Sequence, residues 1–253
     1  MGLLQDRIAV VTGAAGGIGS ATARAFVREG ATVVLTDLDD ERGTKLEQEL
    51  VDAGSSAVFV GADVTHAPDV DEVVRAAVSR FGRLDVAVNC AGYIGVLSPL
   101  LGYPQEEFDR VLEVNVRGTW NCLRAELAAM AGAGNGGAIC NVSSVAGVVG
   151  AAGDAPYVTA KHAIVGMTRA AALEHASDGI RVNVIAPGST DTEMPQRLTG
   201  GDPNILAALR GVIPIGRFGF AEEIAEPIVF LCSPGAAFAT GAVFSVDGGQ
   251  SAA

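Results

Sequence analysis

Residues 8–19 read Ile-Ala-Val-Val-Thr-Gly-Ala-Ala-Gly-Gly-Ile-Gly, and this stretch decides the fold. Residues 8–11 form a short β-branched run that predicts a buried strand, and residues 18–29 have the amphipathic pattern of a helix. A glycine-rich turn between strand and helix lets backbone N–H groups approach a pyrophosphate closely, and the helix N-terminus adds the positive end of its dipole. Glycines also serve ordinary tight turns, but here the flanking strand and helix favour a dinucleotide-binding unit.

The alternation of strand and helix continues along the 253 residues. Further strands are predicted at 32–36, 57–60, 86–89, 138–142, 182–186 and 243–246, and further helices at 41–53, 69–80, 106–130, 156–176 and 221–231. This order predicts a parallel sheet covered by helices on both faces, a doubly wound Rossmann fold of class α/β. We expect a single domain over residues 1–253, since no polar or low-complexity stretch divides the chain. Residues 188–218 are the least regular, and we interpret them as a substrate lid.

Composition excludes several classes of protein. The net charge of −12 weighs against binding nucleic acid or an anionic membrane. Charged or turn residues interrupt each apolar run before the roughly 20 residues that span a bilayer. The four cysteines have no paired spacing, which predicts buried thiols in a reducing compartment and no metal site. Because residues 1–11 lack an apolar segment with a cleavage site, we expect a cytoplasmic protein.

The turn assigns cofactor contacts to Gly13, Gly17, Ile18 and Gly19. Asp37 ends the second predicted strand, where a carboxylate can accept hydrogen bonds from both ribose hydroxyls and would repel a 2′-phosphate. Residues 14–16 contain no arginine or lysine that would neutralise such a phosphate. The pattern therefore predicts that Asp37 binds the ribose and that the cofactor is NAD. The alternative is that Asp37 is an ordinary solvated aspartate with no role in binding.

Two more strand ends carry candidate cofactor residues: Asp63 and Val64 after the third strand, and Asn89, Ala91 and Gly92 at the fourth. Asp63 is expected to bind the adenine amino group while Val64 packs on the ring. The competing interpretation is an aspartate that caps its own turn. Asn89 is equally compatible with a structural bridge between strands.

Tyr157 and Lys161 are four residues apart on a predicted helix, so they share one face. An ammonium beside a phenol favours the phenolate, which predicts a lowered tyrosine pKa and a general acid or base. Tyr-x-x-x-Lys alone is common on protein surfaces. Its context is Ser144, which follows the fifth strand 13 residues before Tyr157 and is placed to stabilise charge on a substrate oxygen.

Asn115 is a polar residue in the apolar stripe of a predicted helix, and a buried asparagine needs partners. Water bridging to Lys161 would give it a role in the same site. Simple hydrogen bonding between helices is the alternative. With Ser144, Tyr157 and Lys161 it completes the predicted catalytic group.

Taken together, these residues resemble the short-chain dehydrogenase/reductase family over about residues 4–249. The resemblance implies a seven-stranded sheet, a Ser-Tyr-Lys-Asn proton relay, and cofactor contacts from Tyr157, Lys161, Pro187, Gly188, Thr190 and Thr192. It also implies a homotetramer with subunit contacts from the alanine-rich helix after Pro156 and from residues 246–249. Cys90 and Thr190 depart from the family's common pattern, but neither removes a catalytic group.

The substrate is expected to be a small neutral alcohol or ketone, because most of the residues placed to meet it are apolar. These residues are Ile94, Val96, Ser144, Val145, Asp154 and Met194. The similarity to relatives that oxidise cyclic alcohols or diols points to NAD(H)-dependent hydride transfer with such a compound. The alternatives are a ketoreductase acting on acyl carriers or polyketides, and a non-catalytic NAD-binding sensor.

Overall fold

A seven-stranded, wholly parallel sheet is the centre of the protein, described over residues 2–252 in a computed structural model. The strands are β1 (Ile8–Thr12), β2 (Thr32–Thr36), β3 (Ala57–Phe59), β4 (Val86–Asn89), β5 (Gly137–Val142), β6 (Ile180–Pro187) and β7 (Val243–Val246). Their order, β3-β2-β1-β4-β5-β6-β7, reverses direction between β1 and β4. Ligands of such sheets bind beyond the strand carboxyl ends at this reversal. The predicted fold class is confirmed.

Helices cover both faces of the sheet. They are α1 (Gly17–Arg28), α2 (Asp40–Asp52), α3 (Ala67–Phe81), α4 (Gln105–Leu112), α5 (Gly118–Ala133), α6 (Ala155–His175), α7 (Glu193–Thr199), α8 (Pro203–Gly211) and α9 (Ala221–Cys232). In β1, Ala9 and Val11 join the apolar core under α1 and α9, whereas Val10 joins the core under α3 and α5. Burial on both faces explains why the strands are apolar almost without interruption.

The predicted helix over residues 106–130 is wrong in one respect, because a π-helical turn at Glu113–Arg117 separates α4 from α5. The wider turn inserts an extra residue into the helical repeat, which an apolar periodicity of 3.6 does not reveal. Other predicted boundaries differ from the structure by one or two residues. No helix in the described part of the chain is both long enough and apolar enough to span a bilayer.

The segment 188–218, predicted to be a lid, contains two short helices, α7 and α8. Leu206, Ile213 and Phe218 form a small apolar cluster of their own within it. A bridge between Thr190 and Gly219 joins the two ends of the segment, and the Asp191 N–H donates to the Gly219 carbonyl at 2.8 Å. The segment therefore leaves and rejoins the main fold at one place, as a loop with adjacent ends does, and its role as a lid stays a prediction.

Candidate active site

The glycine-rich turn has no room for side chains. Gly13 has a φ of 65°, and a Cβ built on it would lie 2.7 Å from the Ala91 nitrogen. A Cβ on Gly19 would lie 2.0 Å from the Gly13 carbonyl oxygen. Helix α1 begins here after Gly16 without a side-chain cap, which leaves its first backbone N–H groups available. The cradle fits a pyrophosphate held by backbone donors.

Asp37 lies beside this turn at the end of β2. One carboxylate oxygen accepts from the Ala15 N–H at 2.9 Å, and the other accepts from the Asp39 N–H at 3.1 Å. The carboxylate is therefore fixed at the edge of the glycine-rich turn. Each oxygen retains a further lone pair for a ribose hydroxyl, as the sequence predicts.

The structure favours the alternative interpretation for Asn89. Its Nδ2 donates to Glu126 Oε2 and to Asn141 Oδ1, both at 2.9 Å, and Asn141 donates in turn to Thr168 at 2.9 Å. All four side chains are buried. Asn89 is thus a bridge between β4, β5 and the helices, as the alternative interpretation has it, and its contact with the cofactor stays a prediction.

Asp63 and Val64 also make structural contacts. One oxygen of Asp63, Oδ1, accepts from the backbone N–H and the hydroxyl of Thr65, at 2.9 and 2.7 Å, which is the turn-capping alternative. Oδ2 accepts no hydrogen bond from the described residues and stays available for an adenine amino group. Val64 is buried, with its side chain against Gly118 of α5, and its contact with the adenine ring stays a prediction.

Helix α6 places Tyr157 and Lys161 on its buried stripe, and Pro156 lies in the first turn as predicted. The Lys161 Nζ lies 5.3 Å from the centre of the Tyr157 ring and donates to the Val142 carbonyl at 3.1 Å. Burial lowers the pKa of Lys161 to about 8. An amine with that pKa exchanges protons near neutral pH.

The predicted lowering of the Tyr157 pKa is not what the protein groups produce. Burial raises that pKa well above its ordinary value, Asp154 raises it further, and a hydrogen bond with Ser144 acts in the opposite direction. The ammonium of Lys161 lies over the ring and donates elsewhere, so desolvation of the phenolate prevails. The protonated phenol is the resting form.

The two adjacent serines have different environments. Ser143 donates to the Lys161 carbonyl at 2.8 Å and ties the end of β5 to α6. Ser144 accepts from the Ala146 N–H at 3.1 Å, and its hydroxyl lowers the pKa of Tyr157. The choice of Ser144 as the serine beside the reacting oxygen stays a prediction.

Asn115 lies within the π-helical turn and is fully buried. Its Nδ2 donates to the carbonyls of Tyr93 and Val111, at 2.6 and 2.8 Å. A Cβ built on Gly92 would lie 2.9 Å from Asn115 Oδ1 and 3.4 Å from Lys161 Nζ. The missing side chain of Gly92 thus leaves a small gap between these two polar groups, where the sequence analysis expects a bridging water.

The segment after β6 returns to the cofactor turn. A Cβ on Gly17 would lie 2.4 Å from the Thr192 methyl group, so Thr192 packs directly on the start of α1. Thr190 is buried and donates to the Gly188 carbonyl at 3.0 Å. Pro187 ends β6, and Gly188 packs against Asp247. Thr192 therefore lies beside the glycine-rich turn, and the cofactor contacts of Pro187, Gly188 and Thr190 stay predictions.

The predicted substrate residues are brought together only in part. Ile94 packs on the buried cluster that contains Tyr157, and Val145 directly follows Ser144 in a short 3₁₀ turn. Asp154 is buried immediately before α6. Val96 and Met194 are 38% and 36% exposed, and no described contact joins them to Tyr157.

Comparison with known proteins agrees with this geometry. A family profile described as Enoyl-(Acyl carrier protein) reductase matches residues 13–251. A reductase of Streptomyces virginiae, "A-factor type gamma-butyrolactone 1'-reductase (1S-forming)", is 45% identical over 98% of this chain and 96% of its own. The "Cis-4-hydroxycyclohexanecarboxylate dehydrogenase" of Sinomonas cyclohexanicum is 42% identical over 98% of this chain and 97% of its own.

A solved structure, that of levodione reductase, superimposes with a TM-score of 0.94 and 36% identity, covering 99% of both chains. The chain belongs to the short-chain dehydrogenase/reductase family. As a member of that family it is an oxidoreductase, and the family implies a nicotinamide cofactor.

Two contributors to this dehydrogenase/reductase site escaped the sequence analysis. The Thr12 hydroxyl accepts from the Cys90 and Ala91 N–H groups, at 3.1 and 3.2 Å, and fixes the loop after β4. Its signal is the position of Thr12 at the end of a strand, in register with Asn89. Tyr103 accepts from the Val96 N–H at 3.3 Å, and no spacing rule predicts that contact in an irregular loop.

Proposed function

We propose that this enzyme interconverts a secondary alcohol and a ketone on a small ring-bearing substrate, using NAD(H) and the group Asn115, Ser144, Tyr157 and Lys161. The observation that carries the proposal is the buried arrangement on α6, where Lys161 Nζ lies 5.3 Å from the centre of the buried Tyr157 ring. We propose that residues 1–253 act as one domain with 188–218 as its substrate lid.

The cofactor would be held mainly by the backbone of the glycine-rich turn and by the Asp37 carboxylate. The absence of room for a Cβ at Gly13 and Gly19, together with the uncapped start of α1, supports this fit. When bound, the nicotinamide supplies the hydride or accepts it. Asp37 would disfavour a 2′-phosphate by charge repulsion, which supports NAD over NADP.

The chain's own residues would handle the proton. In ketone reduction, Tyr157 donates its phenolic proton to the carbonyl oxygen as the hydride reaches the carbon; in alcohol oxidation it takes the hydroxyl proton back. The Ser144 hydroxyl stabilises charge on the same oxygen. Lys161, with a pKa of about 8, can return a proton towards Tyr157, and a water in the gap between Asn115 and Lys161 would replace that proton.

A ring-bearing substrate is supported by two lines of argument. The relatives are named for butyrolactone and hydroxycyclohexanecarboxylate compounds, both of which contain rings. Ile94, which packs on the cluster of Tyr157, and Val145, which follows Ser144, are apolar and suit such a ring. We also propose a cytoplasmic homotetramer. Its support is the four free thiols and the exposed aromatic and aliphatic side chains Trp120, Leu173 and Phe238.

The test is an assay of the purified enzyme with cyclic and acyclic secondary alcohols and the matching ketones, each with the NAD and the NADP form of the cofactor. We expect ring alcohols to be oxidised and kcat/KM with NAD to exceed that with NADP at least about tenfold, as repulsion of a unit charge predicts. Asp37→Asn should narrow that ratio, whereas Asp52→Asn on the exposed end of α2 should not.

Absence of turnover with every alcohol and ketone would refute the proposed reaction. Better use of NADP by the unmodified enzyme would refute the role given to Asp37 and leave the reaction itself standing.

A further inference from the structure

Asp154 is a buried carboxyl without a structural task. It is 7% exposed, and its Oδ1 has no hydrogen-bond partner among the described residues. It occupies the position before α6 where aspartate commonly caps a helix, yet its side chain makes no capping bond. A buried polar atom without a partner costs stability, so its presence requires another explanation.

The surroundings of Asp154 point to the substrate side of the catalytic group. Asp154 lies three residues before Tyr157 and acts electrostatically on both Tyr157 and Tyr103. The loop on its other side is fixed, because the Ser98 N–H donates to the Gly153 carbonyl at 2.9 Å. The carboxyl is therefore held at the end of α6 beside the reacting phenol.

The facing groups include no cation. Burial alone raises the pKa of Asp154 to about 7, and the ionisable side chains that it influences are the two tyrosines. Near neutral pH the carboxyl is present in both protonation states. A hydroxyl group matches either state, because it can donate to a carboxylate and accept from a carboxylic acid.

We propose that Asp154 is a specificity-determining residue that binds a second hydroxyl group of the substrate. This inference rests on the proposed function, since Tyr157 marks where the reacting carbon lies. The substrate class is then a neutral ring alcohol, or the corresponding ketone, that carries another hydroxyl close to the reacting carbon. The same carboxyl disfavours substrates that carry their own carboxylate, by like-charge repulsion.

The experiment compares matched ring substrates: a cyclic monoalcohol, the corresponding cis and trans diols, the amino alcohol, and the ring bearing a carboxylate in place of the second hydroxyl. We expect kcat/KM of the unmodified enzyme to be higher for one diol than for the monoalcohol. Asp154→Ala should lower kcat/KM for that diol about 10- to 100-fold, the range for a hydrogen bond to a charged group. For the monoalcohol kcat/KM should change less than for the diol, so the ratio of the two kcat/KM values, diol over monoalcohol, should fall.

Asp154→Asn provides the second variant, because it keeps the shape of the side chain and removes the charge. It should raise kcat/KM for the carboxylate-bearing ring relative to the unmodified enzyme, an effect that a purely structural role would not produce. Asp178 is an exposed aspartate beyond the other end of α6, and Asp178→Asn is the matched control. It should change neither the kcat/KM of the diol relative to the monoalcohol nor that of the carboxylate-bearing ring. Thermal denaturation of each variant establishes that it is folded.

An equal loss with monoalcohol and diol would overturn the inference, as would a diol preference that survives both Asp154 variants. A preference for the amino alcohol over both diols would also overturn it, in favour of an ammonium ligand. If no alcohol or ketone is turned over by the unmodified enzyme, the failure lies in the proposed function instead.

Discussion

The two ends of the site work by different physical means. At the proposed cofactor end, the backbone would carry the function, because Gly13 and Gly19 leave no space for a Cβ and the start of α1 has no side-chain cap. At the chemical end, buried side chains carry it, and burial raises the pKa of Tyr157 while lowering that of Lys161. One end depends on shape, the other on the energies of protonation.

This difference teaches how each end should respond to substitution. An added methyl group at the cofactor end creates a clash. Removal of the phenolic oxygen at the chemical end keeps the shape of the site but blocks proton transfer. Variants at the two ends should therefore separate binding from turnover.

Tyr157→Phe should have the largest effect. The phenol is the proposed proton donor and acceptor, and general acid–base groups contribute about 10²- to 10⁴-fold to the rate. We expect kcat to fall by that factor while the Kd for NADH, measured by fluorescence titration, changes less than about threefold. A variant that retains its turnover would break the comparison, because the chemical end would not depend on this phenol.

Gly19→Ala should act on binding instead. Its Cβ would lie 2.0 Å from the Gly13 carbonyl oxygen, and overpacking of this kind costs about 1–3 kcal/mol. We expect the Kd for NADH to rise about 5- to 100-fold, with a lower midpoint of thermal denaturation. Gly132→Ala in α5, where no atom lies within 4 Å of an added Cβ, is the control and should leave both unchanged or slightly improved. Unaltered NADH binding in Gly19→Ala would contradict a backbone cradle.

Glu126→Gln should have the smallest effect on turnover and on NADH binding. Glu126 is a buried carboxyl that belongs neither to the glycine-rich turn nor to the catalytic group. Burial raises the pKa of Glu126 from 4.5 to about 7 in the folded protein. The folded chain therefore holds this proton more tightly than the unfolded chain, and the free energy of unfolding falls as the pH rises from about 4.5 to about 7. The slope is at most about 1.4 kcal/mol per pH unit.

Urea denaturation of the unmodified protein and Glu126→Gln at several pH values across this window measures the effect. The variant should show a shallower decline, and Asp154, which is present in both proteins, cancels from the difference. Parallel curves would show that Glu126 titrates normally in the folded state.

The sequence predicts the sheet and the shared face of Tyr157 and Lys161 well, because both depend on local patterns. Strand and helix periodicity places the seven strands, and the four-residue spacing puts Tyr157 and Lys161 on one buried stripe of α6. The turn formed by the glycines of residues 13–19 is also predictable from the sequence, since these residues lie between a strand and a helix.

Contacts between distant segments are what the sequence does not reveal. The contact of Thr192 with Gly17 and the network from Asn89 to Glu126 join residues far apart in the chain. The prediction that the Tyr157 pKa is lowered is wrong for a related reason. It depends on burial and on where the Lys161 ammonium points, and neither follows from spacing.

The π-helical turn at Glu113–Arg117 has one more consequence. Helix α4 packs against α6, and α5 packs against both α6 and α3, so α5 must present a face to α3 that α4 does not. The inserted residue rotates the second helix relative to the first, which lets each helix satisfy its own partner. Deleting one residue from this turn would restore a uniform helix and bring the wrong side of α5 to α3, so chain length is under tighter constraint here than residue identity.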